Sequence, residues 1–143
     1  VRHLSFEVPY PPSVNTYWRR VGARTIISRK GRKYREAVQG LVKKMGVETT
    51  DEPVRVYLEV YPPDARRRDI DNILKALLDG LASRDKDGFK GVYEDDSQIV
   101  ALVISKGEPV RPNGLVRVQI MGDGDGSEIL SEGCNRCPLG PSE

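Results

Sequence analysis

Two cysteines, one histidine and no long apolar run are the first things this 143-residue chain shows. Both cysteines, Cys134 and Cys137, sit near the C-terminus, and the single histidine is His3 at the other end. One Cys-x-x-Cys supplies two of the four ligands a structural zinc site needs, so a reduced pair in a tail is expected over a zinc knuckle. A disulfide framework is excluded, which fits a cytoplasmic location. The longest apolar run covers residues 99–104, six residues, against roughly 18 for a membrane span. No charged head followed by an apolar stretch opens the chain, so no secretory signal is expected. Apolar residues at 38% and charged residues at 31% suit one soluble domain that hides roughly two thirds of its unfolded surface.

A formal charge of +2 says little until it is divided along the chain. Residues 1–50 carry 11 Lys/Arg against 3 Asp/Glu, whereas residues 122–143 carry 1 against 5. Without that last segment the body holds 22 basic and 16 acidic residues. A basic body of +6 is compatible with a polyanionic partner. The Gly-, Asp- and Ser-rich residues 122–143 are expected to form a disordered acidic tail, leaving one domain over residues 1–121.

Periodicity predicts the elements. Leu4, Phe6 and Val8 alternate as in a half-buried strand, which Pro9, Pro11 and Pro12 stop. Residues 13–28 read as a loop mixing Asn15, Tyr17, Trp18, Arg19, Arg20 and Arg24. Ser28 can cap a helix that begins at Arg29, carries Tyr34, Val38, Leu41, Val42 and Met45 on one face, and stops at Gly46. Val54, Val56, Leu58 and Val60 give a second strand, ended by Pro62 and Pro63. Ile70, Ile73, Leu74, Leu77, Leu78 and Leu81 give an amphipathic helix. Residues 98–105 and 115–121 are two more strands, joined by a turn holding Asn113-Gly114 and expected to pair as an antiparallel hairpin. The order β-α-β-α-β-β predicts an α+β (mixed α/β) domain with helices packed on a mixed sheet.

Chemistry concentrates in Arg66-Arg67-Arg68-Asp69-Ile70-Asp71-Asn72, at the entrance to the second helix. Residues two apart share a face only in extended chain, so Asp69 and Asp71 can converge where loop gives way to helix. If Asp71 caps that helix, Lys75 lies one turn further in and reaches the same place. Two carboxylates about 4 Å apart repel by about 4 kcal/mol at an effective dielectric of about 20. A hard cation such as Mg²⁺ offsets this. Glu94-Asp95-Asp96 offers a third ligand, with alternation from Asp96 to Gln98 expected to bring it to the same end of the sheet. The arginines suit phosphates beside such a centre. By pattern alone, a helix cap, a polar turn and a solvated basic face account for the same residues.

Four ordered blocks resemble the RusA family of Holliday junction resolvases. They are Pro9-Tyr10-Pro11-Pro12-Ser13-Val14-Asn15, residues 28–34 with Gly31 and Tyr34, Pro63-Asp64 followed by the Arg-rich Asp-x-Asp-Asn and Lys75, and Asp95-Asp96-Ser97-Gln98-Ile99. The resemblance spans residues 4–121. It implies a homodimeric, Mg²⁺-dependent endonuclease that nicks four-way DNA junctions symmetrically. It implies further that Asp69, Asp71 and Asp96 are the essential acids and metal ligands, and that Lys75 is the functional lysine. Charge and adjacency add Arg66, Arg67, Arg68, Asn15, Arg19 and Arg20 as expected DNA contacts. The alternatives are a branched-DNA-binding protein that does not cut and a metal-dependent phosphoesterase for small substrates.

Overall fold

A computed structural model describes residues 3–122; the expected tail beyond Gly122, with Cys134 and Cys137, lies outside the described residues. The chain runs β1 (His3–Pro9), α1 (Val14–Tyr17), β2 (Trp18–Val21), β3 (Arg24–Ile27), α2 (Arg29–Met45), β4 (Val54–Tyr61), α3 (Leu74–Leu81), β5 (Ile99–Lys106) and β6 (Leu115–Gly122). Short 3-10 turns cover Ile70–Ile73, Asp85–Asp87 and Asp96–Gln98. The architecture is the expected mixture of helices and a mixed sheet.

Local signals fix α2 at both ends. The Ser28 hydroxyl accepts the Gly31 N–H at 3.0 Å, and Gly46 closes the helix at φ 65°, a conformation that a Cβ disfavours. Tyr34, Val38 and Val42 are buried along one stripe. Gly31 lies under the α1 segment. A Cβ there would stand 2.9 Å from the Tyr17 carbonyl oxygen and 2.7 Å from Ile27 Cγ1, so only glycine lets the two backbones meet.

The main sheet has the order β1-β6-β4-β5. Val8, Val56, Leu58, Val116, Val118 and Ile120 are buried in the one core that the sheet shares with α2 and α3. Two expectations are corrected here. Residues 13–28 are not a loop: β2 and β3 form an antiparallel hairpin turned by Gly22 at φ 61°. All four β2 residues are exposed, so this hairpin has no alternation to read.

The last two strands, expected to pair with one another, do not. β6 lies between β1 and β4, antiparallel to both, and β5 pairs parallel with β4. The reason is burial. β6 alternates with its inner side chains fully buried, as a central strand requires. β5 leaves Val100, Leu102 and Val103 exposed and takes the edge. The connection between them is held across the end of β4, with Gly107 N–H bonded to Val60 O at 2.8 Å and Val110 N–H to Pro62 O at 2.8 Å.

Candidate active site

The acidic segment is anchored by a residue that precedes it. Asp64, just after β4, accepts the Arg66 N–H at 3.0 Å and the Arg68 Nη1 at 2.6 Å. Arg68, with Arg66, holds the Asp64 carboxyl well below the usual carboxylate range. Arg68 also lies over the Tyr10 ring, 5.9 Å from its centroid. Its carbonyl oxygen accepts the Lys106 ammonium at 3.0 Å. Arg68 is therefore a fixed strut, whereas Arg66, with a side chain 80% exposed, and Arg67 face solvent.

Asp69 follows in extended backbone, φ −78° and ψ 137°, before the Ile70–Ile73 turn. Ile73 is buried and pins that turn to the core. The amphipathic helix expected over residues 70–81 thus begins as a 3-10 turn, and α3 proper starts at Leu74. Asp71 lies inside the turn and does not cap it; nor does the Asp69 side chain. Both carboxylates are exposed, and neither makes a hydrogen bond or ion pair with a described residue.

Lys75 is turned further along its helix than expected. Its ammonium lies 3.4 Å from Asp79 Oδ2 and 5.9 Å from the centroid of the Trp18 ring. Asp79 Oδ2 also accepts the Tyr17 hydroxyl at 3.2 Å. The aromatic pair of residues 17 and 18 therefore divides. Tyr17 is core, fully buried, and Trp18 packs edge-on against it while remaining 37% exposed.

At the other acidic motif, Asp95 and Asp96 have different tasks. Asp95 caps the Asp96–Gln98 turn by accepting the Ser97 N–H at 2.9 Å; the Ser97 side chain, and then its N–H, lower the Asp95 pKa. Gln98 is a four-way clamp. Its Oε1 accepts the Glu94 and Asp95 N–H groups at 2.8 and 2.9 Å. Its Nε2 donates to the Thr50 and Glu52 carbonyl oxygens at 3.0 and 2.8 Å. The Asp96 carboxylate, on an exposed residue and with no hydrogen bond or ion pair to a described residue, is the acid this turn leaves available.

The geometry accompanies a clear relationship in sequence. Residues 9–121 match the family model described as Endodeoxyribonuclease RusA. The chain belongs to the RusA family. A crossover junction endodeoxyribonuclease of Enterobacteria phage HK97 is 42% identical over 121 residues, covering 84% of this chain and 95% of that protein. The similarly named protein of Shigella sonnei is 38% identical over 117 residues, 81% and 92% of the two chains. That of Enterobacteria phage 82 is 38% identical over 114 residues, 79% and 89%.

Within this RusA chain the acids fall at two places. Asp69 and Asp71 follow β4, and Asp96 precedes β5. Because β4 and β5 are parallel, these are opposite ends of the strand pair. The expectation that Asp96 reaches the end carrying Asp69 and Asp71 is corrected by this register, and by the 3-10 turn that replaces strand alternation at residues 96–98. Among the described residues no three His, Cys, Asp or Glu side chains group closely enough to hold a metal ion. Asn15 on α1 and Arg19 and Arg20 on β2 are exposed, close to Trp18 in the chain.

Three residues with clear tasks carry little sequence signal of their own. Asp64 is marked by the Pro63-Asp64 block and the Asp-x-Arg-x-Arg spacing, Gln98 only by the motif that contains it, and Asp79 by nothing but its i+4 relation to Lys75.

Proposed function

We infer that this chain is a cytoplasmic, Mg²⁺-dependent endonuclease that resolves four-way DNA junctions by paired symmetric nicks, acting as a twofold homodimer in DNA recombination and repair. The observation that carries this reading is the exposed carboxylate pair Asp69 and Asp71, without partners among the described residues, on a segment held in place by Arg68 and Ile73. Hard oxygen donors of this kind fit Mg²⁺, which takes a few carboxylates and keeps waters. Bound there, Mg²⁺ would supply Lewis-acid activation of water and neutralise charge on the departing oxygen.

One protomer offers two of the three ligands at one place, and a second copy offers the third. β5 is an edge strand whose Val100 and Val103 are 56% and 50% exposed, the kind of edge that proteins cover. Two β5 edges paired about a twofold axis perpendicular to the strands run antiparallel. The Asp96 end of one strand then lies beside the Asp69 and Asp71 end of the other, and two equivalent centres result. Paired nicks need two centres, so the dimer answers both requirements.

Asp69, Asp71 and the partner's Asp96 hold the cation. Lys75 supplies positive charge toward the reacting phosphate, with Asp79 and Trp18 setting its reach. Arg66 and Arg67 take flanking phosphates, and Asn15, Arg19 and Arg20 extend that surface. Affinity then falls steeply with salt, because phosphate contacts release counterions.

The test is an end-labelled synthetic junction incubated with the protein in Mg²⁺. Symmetric nicks that disappear in EDTA and in Asp71→Asn support the reading. Tight junction binding without cutting by the intact protein contradicts it, as does hydrolysis of nucleotides but not of junctions.

A further inference from the structure

A cleft of about 790 Å³ opens between the start of α2, residues 10–16 and residues 63–68. Tyr10, Pro11, Pro12, Tyr34 and Pro63 give it an apolar floor. Lys30 and Lys33 on α2 line one side, and Arg66 and Arg67 another. Among the described residues no Asp or Glu lines it. The side chains of Lys30, Lys33 and Arg67 have no hydrogen bond or ion pair with any described residue.

The placement of these lysines works against the helix that carries them. Arg29, Lys30, Arg32, Lys33 and Arg35 crowd the first two turns of α2, and its first turn contains no acid. Cations at the positive end of a helix weaken it. An unfavourable local choice of this kind is expected where function demands it. An anion resting in the cleft reverses the balance.

Size and lining narrow the anion. The cleft has the volume of a small-molecule site, while the major groove of a duplex is itself about 12 Å wide. A duplex arm can rest on such a rim but cannot enter. A single strand can, and the division into an apolar aromatic floor and a cationic rim is that of single-strand sites. We propose that this cleft holds unpaired nucleotides of one DNA strand, with phosphates on Lys30, Lys33 and Arg67 and bases against Tyr10 and the prolines. The inference rests on DNA being the substrate, and it adds a grip on a strand opened beside the branch point.

The test measures anisotropy of a dye-labelled 15-nucleotide oligo-dT, and of a blunt hairpin duplex, across a salt series in EDTA. The full chain is compared with Lys30→Ala/Lys33→Ala and with Lys43→Ala/Lys44→Ala, which removes the same charge from the other end of α2. Losing two phosphate contacts lowers the single-strand salt slope by about 1.4, or about 25-fold in affinity at 0.1 M salt. The expected result is that loss on oligo-dT for the Lys30/Lys33 variant, less than about threefold on the duplex, and near wild-type binding by the control. Lys30→Gln/Lys33→Gln repeats the measurement should the alanine pair fail to keep the wild-type helical spectrum.

Equal affinity and slope for the Lys30/Lys33 and Lys43/Lys44 variants overturns the cleft assignment. An equal loss on duplex and oligo-dT overturns the unpaired-strand assignment. The same wild-type preparation is scored for junction cutting in Mg²⁺. If it cuts while the Lys30/Lys33 result is negative, only the cleft falls; if it neither binds nor cuts DNA, the DNA reading falls and the cleft with it.

Discussion

Gln98→Ala removes a single amide that ties the Asp96 turn to the rest of the fold. Four hydrogen bonds of 2.8 to 3.0 Å are lost together. Each is worth roughly 0.5–1.5 kcal/mol net. The Glu94 and Asp95 N–H groups are exposed and regain water, so they belong at the low end of that range. The Thr50 carbonyl oxygen, in a part-buried bond, belongs higher. The sum is about 2–3 kcal/mol, which lowers Tm by about 8–12 °C in a domain of this size. The turn itself persists more loosely, because Asp95 still caps it through Ser97. Asp96 then loses its fixed position, and a misplacement near 1 Å costs about 100-fold in rate. Gln98 touches none of the basic surfaces, so junction affinity in EDTA stays within about threefold of wild type. Calorimetry and single-turnover cleavage of a labelled junction read both effects. Gln98→Glu keeps the two accepting bonds, loses the two donated ones and adds charge beside Asp95, so it is destabilised without recovering activity. A Gln98→Ala protein with unchanged Tm and unchanged cleavage refutes the reasoning.

Gly31→Ala forces a methyl group against the Tyr17 carbonyl oxygen and Ile27 Cγ1, and is expected to destabilise by about 1–3 kcal/mol, read as the shift in urea midpoint. Asp64 is expected to titrate below the ordinary Asp range in carboxyl-detected NMR and to move back toward it in Arg68→Lys, since Arg68 is the first cause of its lowered value. A depressed carboxylate contributes its stability fully above the unfolded pKa of about 3.9 and loses it as pH falls through the folded value. The Asp64 pair therefore does nothing for a pH dependence near neutrality. Mixing Asp71→Asn with Asp96→Asn subunits tests the shared centre. Each heterodimer holds one intact site, so a 1:1 mixture recovers roughly a quarter of wild-type nicking, whereas acids acting within one protomer give no recovery.

Most of the fold was legible where a side chain alternates between core and water. β1, β4 and α2 announce themselves by apolar spacing, and α2 is bounded by Ser28 and Gly46 as written in the chain. The β2–β3 hairpin was not legible, because Trp18, Arg19, Arg20 and Val21 are all exposed and carry no period. The strand order was not legible either: pairing of β5 with β6 or with β4 turns on which strand lies between two others, a property of the assembled sheet. In the site, the motif residues proved to be of two kinds. Gly31, Tyr34, Asp95 and Gln98 hold the chain in place, through a close approach, a 2.7 Å bond from the Tyr34 hydroxyl to the Pro9 carbonyl oxygen, a turn cap and a clamp. The carboxylates of Asp69, Asp71 and Asp96 are left without hydrogen-bond or ion-pair partners among the described residues. Spacing alone does not separate the two kinds, since a capping Asp and a ligating Asp look alike until their hydrogen bonds are known.

The most direct test of the account is the form of product from a supercoiled plasmid that extrudes a cruciform. Two coordinated centres nick opposite strands within one binding event and release linear plasmid, and this is the predicted product in Mg²⁺, absent in EDTA and in Asp69→Asn. Nicked circles that accumulate without linear product, or no cutting at all, contradict the paired-nick dimer.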